Sequence, residues 1–179
     1  MTKQKTLDDV ISECEKVLEI NPSDAMARYD LGIAYGKKGL LDKAITELKK
    51  AIEINPDYVA ARTDLGKAYG LNGMWNEAIG ELKKAIEINP NYAEAHTGLG
   101  LVYNGMNMPD DAISEFQKAI EIDPDIAEAH TGLAIAYFSK RNYRQAIKHC
   151  DRAIELGARV HPEFLKELEN YRQYVSQDE

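Results

Sequence analysis

The sequence predicts an all-α protein in which helix pairs stack side by side as an α-solenoid, and three observations predict it. Residues 47–56 (ELKKAIEINP) return unchanged as residues 81–90, and close variants occupy 13–22 and 115–124. The interval is 34 residues each time, a period typical of repeat proteins. Apolar residues recur at helical spacing within each interval. An Asn-Pro, Asp-Pro or Gly signal then ends each recurring segment.

The first predicted helix runs from Leu7 to Ile20 within an N-terminal half repeat, residues 1–24. Its apolar residues fall at spacings of three and four and form one stripe: Leu7, Val10, Ile11, Cys14, Val17 and Leu18. Asn21-Pro22 ends the helix, because proline restricts the residue before it to extended conformations. Ser23 or Asp24 is then the expected cap of the second helix.

Four complete helix pairs follow, in residues 25–58, 59–92, 93–126 and 127–160. The first pair is expected to run from Ala25 to about Lys38 and from Leu41 to Ile54, with a break at Gly39. The same sequence pattern begins again at Val59, Ala93 and Ala127, and Gly73 is expected to separate the two helices of the second pair. Pro109 opens the second helix of the third pair, where proline is tolerated. Gly157 ends the fourth pair in place of Asn-Pro.

A last helix is predicted to begin at His161-Pro162-Glu163, within residues 161–179. Its apolar side consists of Phe164, Leu165, Leu168, Tyr171 and Val175, and its other side is charged. Because a stack of helices ends in an apolar face, we expect this helix to cap the array. Residues 176–179 are expected to fray.

The totals exclude several classes of function. The 179 residues include 22 Lys or Arg and 30 Asp or Glu, which gives a net charge of -8. This acidity argues against a nucleic-acid partner and mildly favours basic partners. No segment reaches the ~18 apolar residues that a membrane span needs, so no membrane insertion is expected. The N-terminus shows no signal peptide, and the default expectation is a cytoplasmic protein.

The two cysteines are expected to be buried packing residues. Cys14 and Cys150 lie 136 residues apart, which is four periods of 34. They stand where other repeats have Leu48, Leu82 and Phe116. In a stacked array such residues are too far apart for a disulfide, which needs Cα atoms within about 7 Å.

The repeated unit resembles the tetratricopeptide repeat, a 34-residue helix-turn-helix. The residues that carry the resemblance in the first pair are Leu31, Gly32, Tyr35, Ala44, Leu48, Ala51 and Pro56. The resemblance implies a right-handed superhelical arc. One departure is polar: Arg28, Arg62, His96 and His130 stand where the family has a bulky residue, so polar groups are expected near the seam between units.

No catalytic or cofactor motif was found, so no enzyme activity, catalytic residue or cofactor is predicted. Gly98-Leu99-Gly100-Leu101-Val102-Tyr103 begins like a dinucleotide fingerprint but has Tyr at the third glycine. His96 and His130 occupy the same context one period apart. Layers ~10 Å apart are too distant for both to bind one zinc ion, so no metal is expected. We interpret them as packing or hydrogen-bonding histidines.

The resemblance implies that the first helices line a concave groove that binds extended peptides or partner helices. The implied groove residues are Met26, Tyr29, Asp30, Ile33, Thr63, Asp64, Lys67, Glu94, Thr97, Leu101, Asn104, Glu128, Thr131, Ile135 and Phe138. Spacing supports the assignment in the first pair, because Met26, Tyr29 and Ile33 share one helix face. The alternative is that these residues only complete the core.

The leading hypothesis is therefore a non-enzymatic protein-protein interaction scaffold that binds a segment of a partner protein. Four carboxylates and one cation, Lys67, fall among the implied groove residues, which favours a basic or amphipathic segment. Some members of the family bind the C-terminal carboxylate of a partner with a clamp of Lys, Asn and Arg residues. That clamp is absent here, because the corresponding positions hold Tyr29, Ile33, Asp64, Glu94 and Gly98. Neither the partner nor its pathway follows from the sequence.

The alternative is a structural or self-assembling module. The first helix has no preceding helix to cover Val10, Cys14 and Val17. An uncovered apolar stripe favours contact with a partner or a second copy of the chain. Weak homo-oligomerisation through this helix is the corresponding hypothesis.

Overall fold

Ten α-helices and no strand make up residues 5–175, the part of the chain that the computed structural model describes. Side chains are described as far as Arg172, so the predicted apolar contact of Val175 lies outside the described side chains. The predicted fraying of residues 176–179 lies outside the described residues. The helices are α1 (Leu7–Ile20), α2 (Ala25–Lys37), α3 (Leu41–Ile54), α4 (Val59–Leu71), α5 (Trp75–Ile88), α6 (Ala93–Gly105), α7 (Pro109–Ile122), α8 (Ala127–Ser139), α9 (Tyr143–Glu155) and α10 (Pro162–Val175). The predicted all-α solenoid of helical repeats is confirmed.

The predicted helix starts and stops agree with the structure to within a residue. Asp24, rather than Ser23, caps α2: its carboxylate oxygen accepts a hydrogen bond from the backbone N–H of Ala27 at 2.9 Å. The cap of α1 was not predicted from the sequence. Thr6 and Asp9 form a reciprocal capping box there, which satisfies two backbone donors at once.

The turn within each helix pair needs one residue in the left-handed region. Gly39 and Gly73 occupy it with φ of 75° and 74°. In the third and fourth pairs the position is held by Asn107 and Arg141, each with φ of 59°. Asparagine tolerates this conformation, whereas arginine is strained by about 1–2 kcal/mol. The expected glycine break therefore marks only two of these four turns.

The helices fall into two compact units that divide after Pro90. In the first unit, α1–α5, leucines of successive helices are buried against alanines. Helices approach closely where glycine faces leucine, because a Cβ on Gly66 would lie 2.5 Å from Leu82 Cγ. Glycine is required at position 66 because any larger side chain would collide with Leu82.

The second unit, α6–α10, is built around Phe116, which is fully buried. Its ring packs among Ala112, Ala119 and Leu133, and it lies where a Cβ on Gly100 would be 2.7 Å away. The ring replaces the leucine of the first two pairs, and glycine on the facing helices makes room for it.

Helix α10 covers the end of the second unit, as predicted. Leu168 is fully buried in a cluster with Ala134, Ala146 and Cys150, and Phe164 packs against the same cluster. Arg172 on α10 forms an ion pair with Asp151 on α9. Charged side chains cover the outer side of α10, so this end of the array is closed by a polar surface.

Both cysteines are buried and free. Burial raises the pKa of each thiol above its ordinary value. Cys14 packs against Ala27 and Leu31 of α2, which corrects the expectation that its side of α1 is uncovered. None of the described helices has both the length and the apolar composition required to cross a membrane.

Candidate peptide-binding groove

In the first unit, α2 and α4 form one wall of the predicted groove. The Tyr29 hydroxyl on α2 donates a hydrogen bond to Asp64 on α4 at 2.9 Å. The Tyr29 ring also packs against that of Tyr58, with centroids 5.1 Å apart. Two predicted groove residues from successive helix pairs, Tyr29 and Asp64, are therefore hydrogen-bonded to each other, and this bond orients both side chains.

A cavity of about 250 Å³ opens between α2 and α4. Ile33 and Gly36 of α2 line it, and Ala44 and Leu48 of α3 lie among its walls. A Cβ on Gly36 would meet only the Ala44 methyl, at 3.9 Å, so the missing side chain leaves usable space. The cavity is somewhat smaller than the ~300–1,000 Å³ of small-molecule pockets and shares their mainly apolar lining.

The rim of this cavity carries both signs of charge. Asp64 and Lys67 of α4, both predicted, line it together with Lys37 of α2. Leu71 also lines it and is 76% exposed. Neither Lys37 nor Leu71 was predicted from the sequence to lie in the groove. Leu71 had a usable signal, because it is a leucine at the end of a helix four residues after Lys67.

Asp30 belongs to the same acidic region of the first unit. Burial raises the pKa of the Tyr58 phenol, and the charges of Asp30 and Asp64 raise it further. Both carboxylates therefore act on one aromatic ring beside the Tyr29 hydrogen bond. Met26, one turn before Asp30, is 67% exposed and offers apolar surface on the same helix.

In the second unit, α6 and α8 form the corresponding wall. The Asn104 amide on α6 donates a hydrogen bond to the Gly132 carbonyl on α8 at 3.0 Å. Leu101 is half-buried against the Phe116 core. Ile135 on α8 is 42% exposed. Glu94 and Glu128, near the starts of α6 and α8, are exposed carboxylates.

Four predicted groove residues have their side chains occupied. Thr63 and Thr97 are buried, and their hydroxyls donate to the carbonyls of Val59 and Ala93. They present no surface to a ligand, so the expectation that they face one does not hold. Thr131 makes the same bond to Ala127 and is half-buried.

Phe138 is the fourth of these residues. Its ring makes edge-on contacts with Tyr143, Phe164 and Tyr171, at centroid distances of 5.4, 5.4 and 5.9 Å. Two of those partners belong to α10. The side chain that the sequence analysis assigned to the groove is therefore packed beneath the C-terminal helix.

The polar residues expected at the seams form a repeated contact away from this wall. Arg28 donates to Glu47 at 2.7 Å and to the Pro22 carbonyl at 3.2 Å. Arg62 pairs with Glu81 at 2.5 Å and with the Pro56 carbonyl at 2.8 Å. Each arginine thus ties the end of one repeat to the second helix of the next.

The third and fourth pairs use histidine at this position. His96 bonds to Glu115 at 2.7 Å, whereas His130 bonds to His149 at 3.0 Å. The interpretation of His96 and His130 as buried, hydrogen-bonding histidines is confirmed. Among the described residues, no group of three His, Cys, Asp or Glu side chains could hold a metal ion.

Comparison with known families bears directly on this repeated architecture. Family models described as TPR repeat match residues 37–73 and 72–107, and models described as tetratricopeptide repeat match 13–46, 93–126 and 127–157. Together they cover most of the chain. The protein belongs to the tetratricopeptide repeat family. The resemblance inferred from the packing residues is confirmed.

Solved structures of other tetratricopeptide repeat proteins share the fold. A crystal structure of MamA is 33% identical with a TM-score of 0.69, covering 84% of this chain and 88% of that one. TTC0263, a thermophilic TPR protein in Thermus thermophilus, is 26% identical with a TM-score of 0.77, covering 92% and 89%. YrrB, described as a TPR protein with an unusual peptide-binding site, is 28% identical with a TM-score of 0.62, covering 84% and 78%. The comparison with curated proteins found no match.

Proposed function

We propose that this tetratricopeptide repeat protein is a non-enzymatic scaffold that binds an amphipathic segment of a partner protein against α2 and α4. The observation that carries the proposal is the cavity beside Gly36. It has apolar walls, and its rim has one carboxylate and two ammonium groups. The absence of enzyme activity and a cytoplasmic location are parts of the proposal that rest on the sequence alone.

The mixed rim refines the chemistry of the expected partner. A uniformly basic segment would meet Asp64 but would be repelled by Lys37 and Lys67 at the same cavity. An amphipathic segment can place an apolar side chain in the cavity, a basic residue toward Asp30 and a further apolar residue against Met26. The hydrogen bond of Tyr29 to Asp64 holds this wall in place before binding, which lowers the entropy lost on association.

A random-peptide selection followed by NMR tests the proposal. Displayed 12-residue peptides are selected on the immobilised protein, and one enriched sequence is titrated into ¹⁵N-labelled protein. We expect an apolar anchor flanked by basic residues, with shifts concentrated at Ile33, Lys67 and Leu71. Chemical-shift changes confined to the second helices of the pairs, such as at Lys49 on α3 and Lys83 on α5, would contradict the assignment. A failure to enrich any peptide sequence would contradict it as well.

A second candidate, self-association through α1, is favoured by one specific observation. Val17 is 42% exposed, whereas Ala51, its equivalent one period later, is fully buried. Ile20 at the end of the same helix is 88% exposed. Val17 and Ile20 therefore form an apolar strip on α1 that is more exposed than the equivalent residues of α3, Ala51 and Ile54. We propose a second copy of the chain as its occupant.

Light scattering at increasing protein concentration tests this second candidate. Ile20→Lys is the informative variant, and Ile54→Lys is its matched control, because Ile54 is the residue one period later and is 39% exposed. We expect a concentration-dependent rise in mass that Ile20→Lys abolishes and Ile54→Lys leaves intact. A wild-type mass that stays monomeric at millimolar concentration would refute the candidate.

A further inference from the structure

The fourth helix pair, α8–α9, differs from the other three at one buried polar contact. In the first three pairs, an Arg or His of the first helix binds a glutamate of the second, as His96 binds Glu115. In the fourth pair, the glutamate is replaced by His149, and its ring faces His130 with Nδ1 atoms 3.0 Å apart. A cation–carboxylate pair has thus become a contact between two imidazoles.

The hydrogen-bond partners fix where the protons are. His130 Nε2 lies 3.1 Å from the Pro124 carbonyl, which can only accept, so Nε2 of His130 carries a proton. In the neutral ring its Nδ1 is then an acceptor. The Nδ1 of His149 must therefore be the donor, and a single proton lies between the two rings.

One added proton can be accommodated, but two cannot. If His130 is protonated, its Nδ1 becomes a donor, and His149 can shift its own proton to Nε2 and accept. If both rings are protonated, both Nδ1 atoms are donors and the two positive charges face each other at hydrogen-bond distance. The contact then changes from attractive to repulsive.

The charged groups that act on His149 are His130 and Lys148, and neither neutralises that second charge. Lys148, adjacent on α9, adds positive charge beside His149. The two carboxylates of α9 at this site are occupied, because Asp151 pairs with Arg172 of α10 and Glu155 with Arg152. Arg152 also binds Asp125 of the preceding turn.

A tyrosine and an open cavity also adjoin the pair. The Tyr137 ring of α8 stacks on His149 with centroids 5.6 Å apart, and its hydroxyl accepts from Gln117 of α7. A cavity of about 510 Å³ opens beside both imidazoles and gives protons access to the pair. Ile120 of α7 also lines the cavity and supplies no charge.

We propose that the His130–His149 pair is an acid-sensitive latch that holds α9, and with it the C-terminal helix α10, in the second unit. Cys150 follows His149 directly and is part of the cluster that buries Leu168 of α10. A displaced α9 therefore loosens the seat of the cap. This device is independent of the binding site proposed on α2 and α4, because its residues lie on α8 and α9.

The direction of the pH effect follows from the pair. Burial, the neighbouring His130 and Lys148 together hold the pKa of His149 down from 6.5 to about 4. A histidine that stays neutral in the folded state stabilises it fully above its unfolded pKa. That stabilisation is lost as the pH falls from about 6.5 toward 4, since the unfolded chain takes up the proton first.

Hydrogen exchange of the full chain, followed by mass spectrometry at pH 7 and pH 5, tests the latch. After correction for the intrinsic pH dependence of exchange, we expect protection in α8–α10 to fall by at least about tenfold. The reason is that pH 5 lies more than one unit below 6.5 and still above the folded pKa of His149, and each unit corresponds to tenfold in the opening equilibrium. Peptides from α2–α5 serve as the internal reference and are expected to change less than twofold.

Two variants separate the latch from general acid sensitivity. His149→Glu recreates the contact seen between His96 and Glu115, and its protection in α8–α10 should stay constant or rise between pH 7 and pH 5. His149→Gln removes the titrating ring and should lose the tenfold fall. A wild-type protein with no local fall, or either variant retaining the full fall, would overturn the proposal.

Discussion

The hydroxyl of Tyr29 donates a hydrogen bond to Asp64 across 2.9 Å, and the two residues stand 35 positions apart, one in each of two successive helix pairs. This separation is close to the 34-residue period, so the contact joins nearly equivalent positions on the first helices of two successive pairs. It joins α2 to α4 at the edge of the cavity that Lys67 and Gly36 line. The stability of the first unit and the shape of the wall that α2 and α4 form are therefore linked.

The first prediction concerns that hydrogen bond. Tyr29→Phe should destabilise the protein by about 0.5–1.5 kcal/mol, because it removes the donor and leaves a half-buried carboxylate oxygen less well satisfied. Urea unfolding followed by circular dichroism measures the change. Tyr35→Phe is the matched control: its hydroxyl reaches Glu15 only at 3.4 Å on an exposed surface, so its effect should be close to zero. Equal effects of the two substitutions would be inconsistent with this assignment.

The second prediction concerns the buried carboxylate of Glu47. Burial alone would raise its pKa, but hydrogen bonds from Lys50 and Arg28 outweigh burial and lower the pKa below 4.5. Glu47→Gln should cost about 1–3 kcal/mol at pH 7, because Arg28 loses its charged partner. Glu53→Gln, on an exposed site of the same helix, should cost less than about 0.5 kcal/mol.

The cost of Glu47→Gln should also depend on pH. A carboxylate with a lowered folded pKa contributes stability that is present above about 4.5 and is lost as the pH falls through the folded value. Stability curves of wild type and variant should therefore converge progressively as the pH falls below about 4.5. A difference that persists undiminished to pH 3 would show that the ion pair is not its source.

The third prediction compares two glycines of one helix pair. Gly66→Ala places a Cβ 2.5 Å from Leu82 Cγ and 3.1 Å from the Ala78 carbonyl, so it should destabilise by about 1–3 kcal/mol. Gly80→Ala meets nothing within 4 Å and should stabilise α5 by about 0.5–1 kcal/mol. Thermal unfolding measures both. Two shifts of the same sign would contradict the packing described for α4 and α5.

Helix positions were predictable from the sequence because each depends on local chemistry that repeats. Asn21-Pro22 ends α1 whatever surrounds it, and Pro109 opens α7 for the same reason. Packing positions such as Leu48 and Phe116 followed from recurrence at one interval. These features depend on residues close in sequence or on the period itself.

Exposure within the predicted groove depended on neighbours that no local pattern specifies. Thr63 and Met26 belong to the same set of implied groove residues, yet Thr63 is 2% exposed and Met26 is 67% exposed. Phe138 illustrates the same point, since only the position of α10 decides that its ring is covered. The pairing of His130 with His149 was missed because it requires knowing which faces of α8 and α9 meet.

The most direct test of the groove fills the cavity and measures affinity. Gly36→Leu inserts a side chain into the space between α2 and α4, and Gly80→Leu places the same side chain on an open surface of α5. Isothermal titration with a selected amphipathic peptide should show at least tenfold weaker binding to Gly36→Leu and unchanged binding to Gly80→Leu. Equal affinity for Gly36→Leu and the wild type would contradict the proposed site.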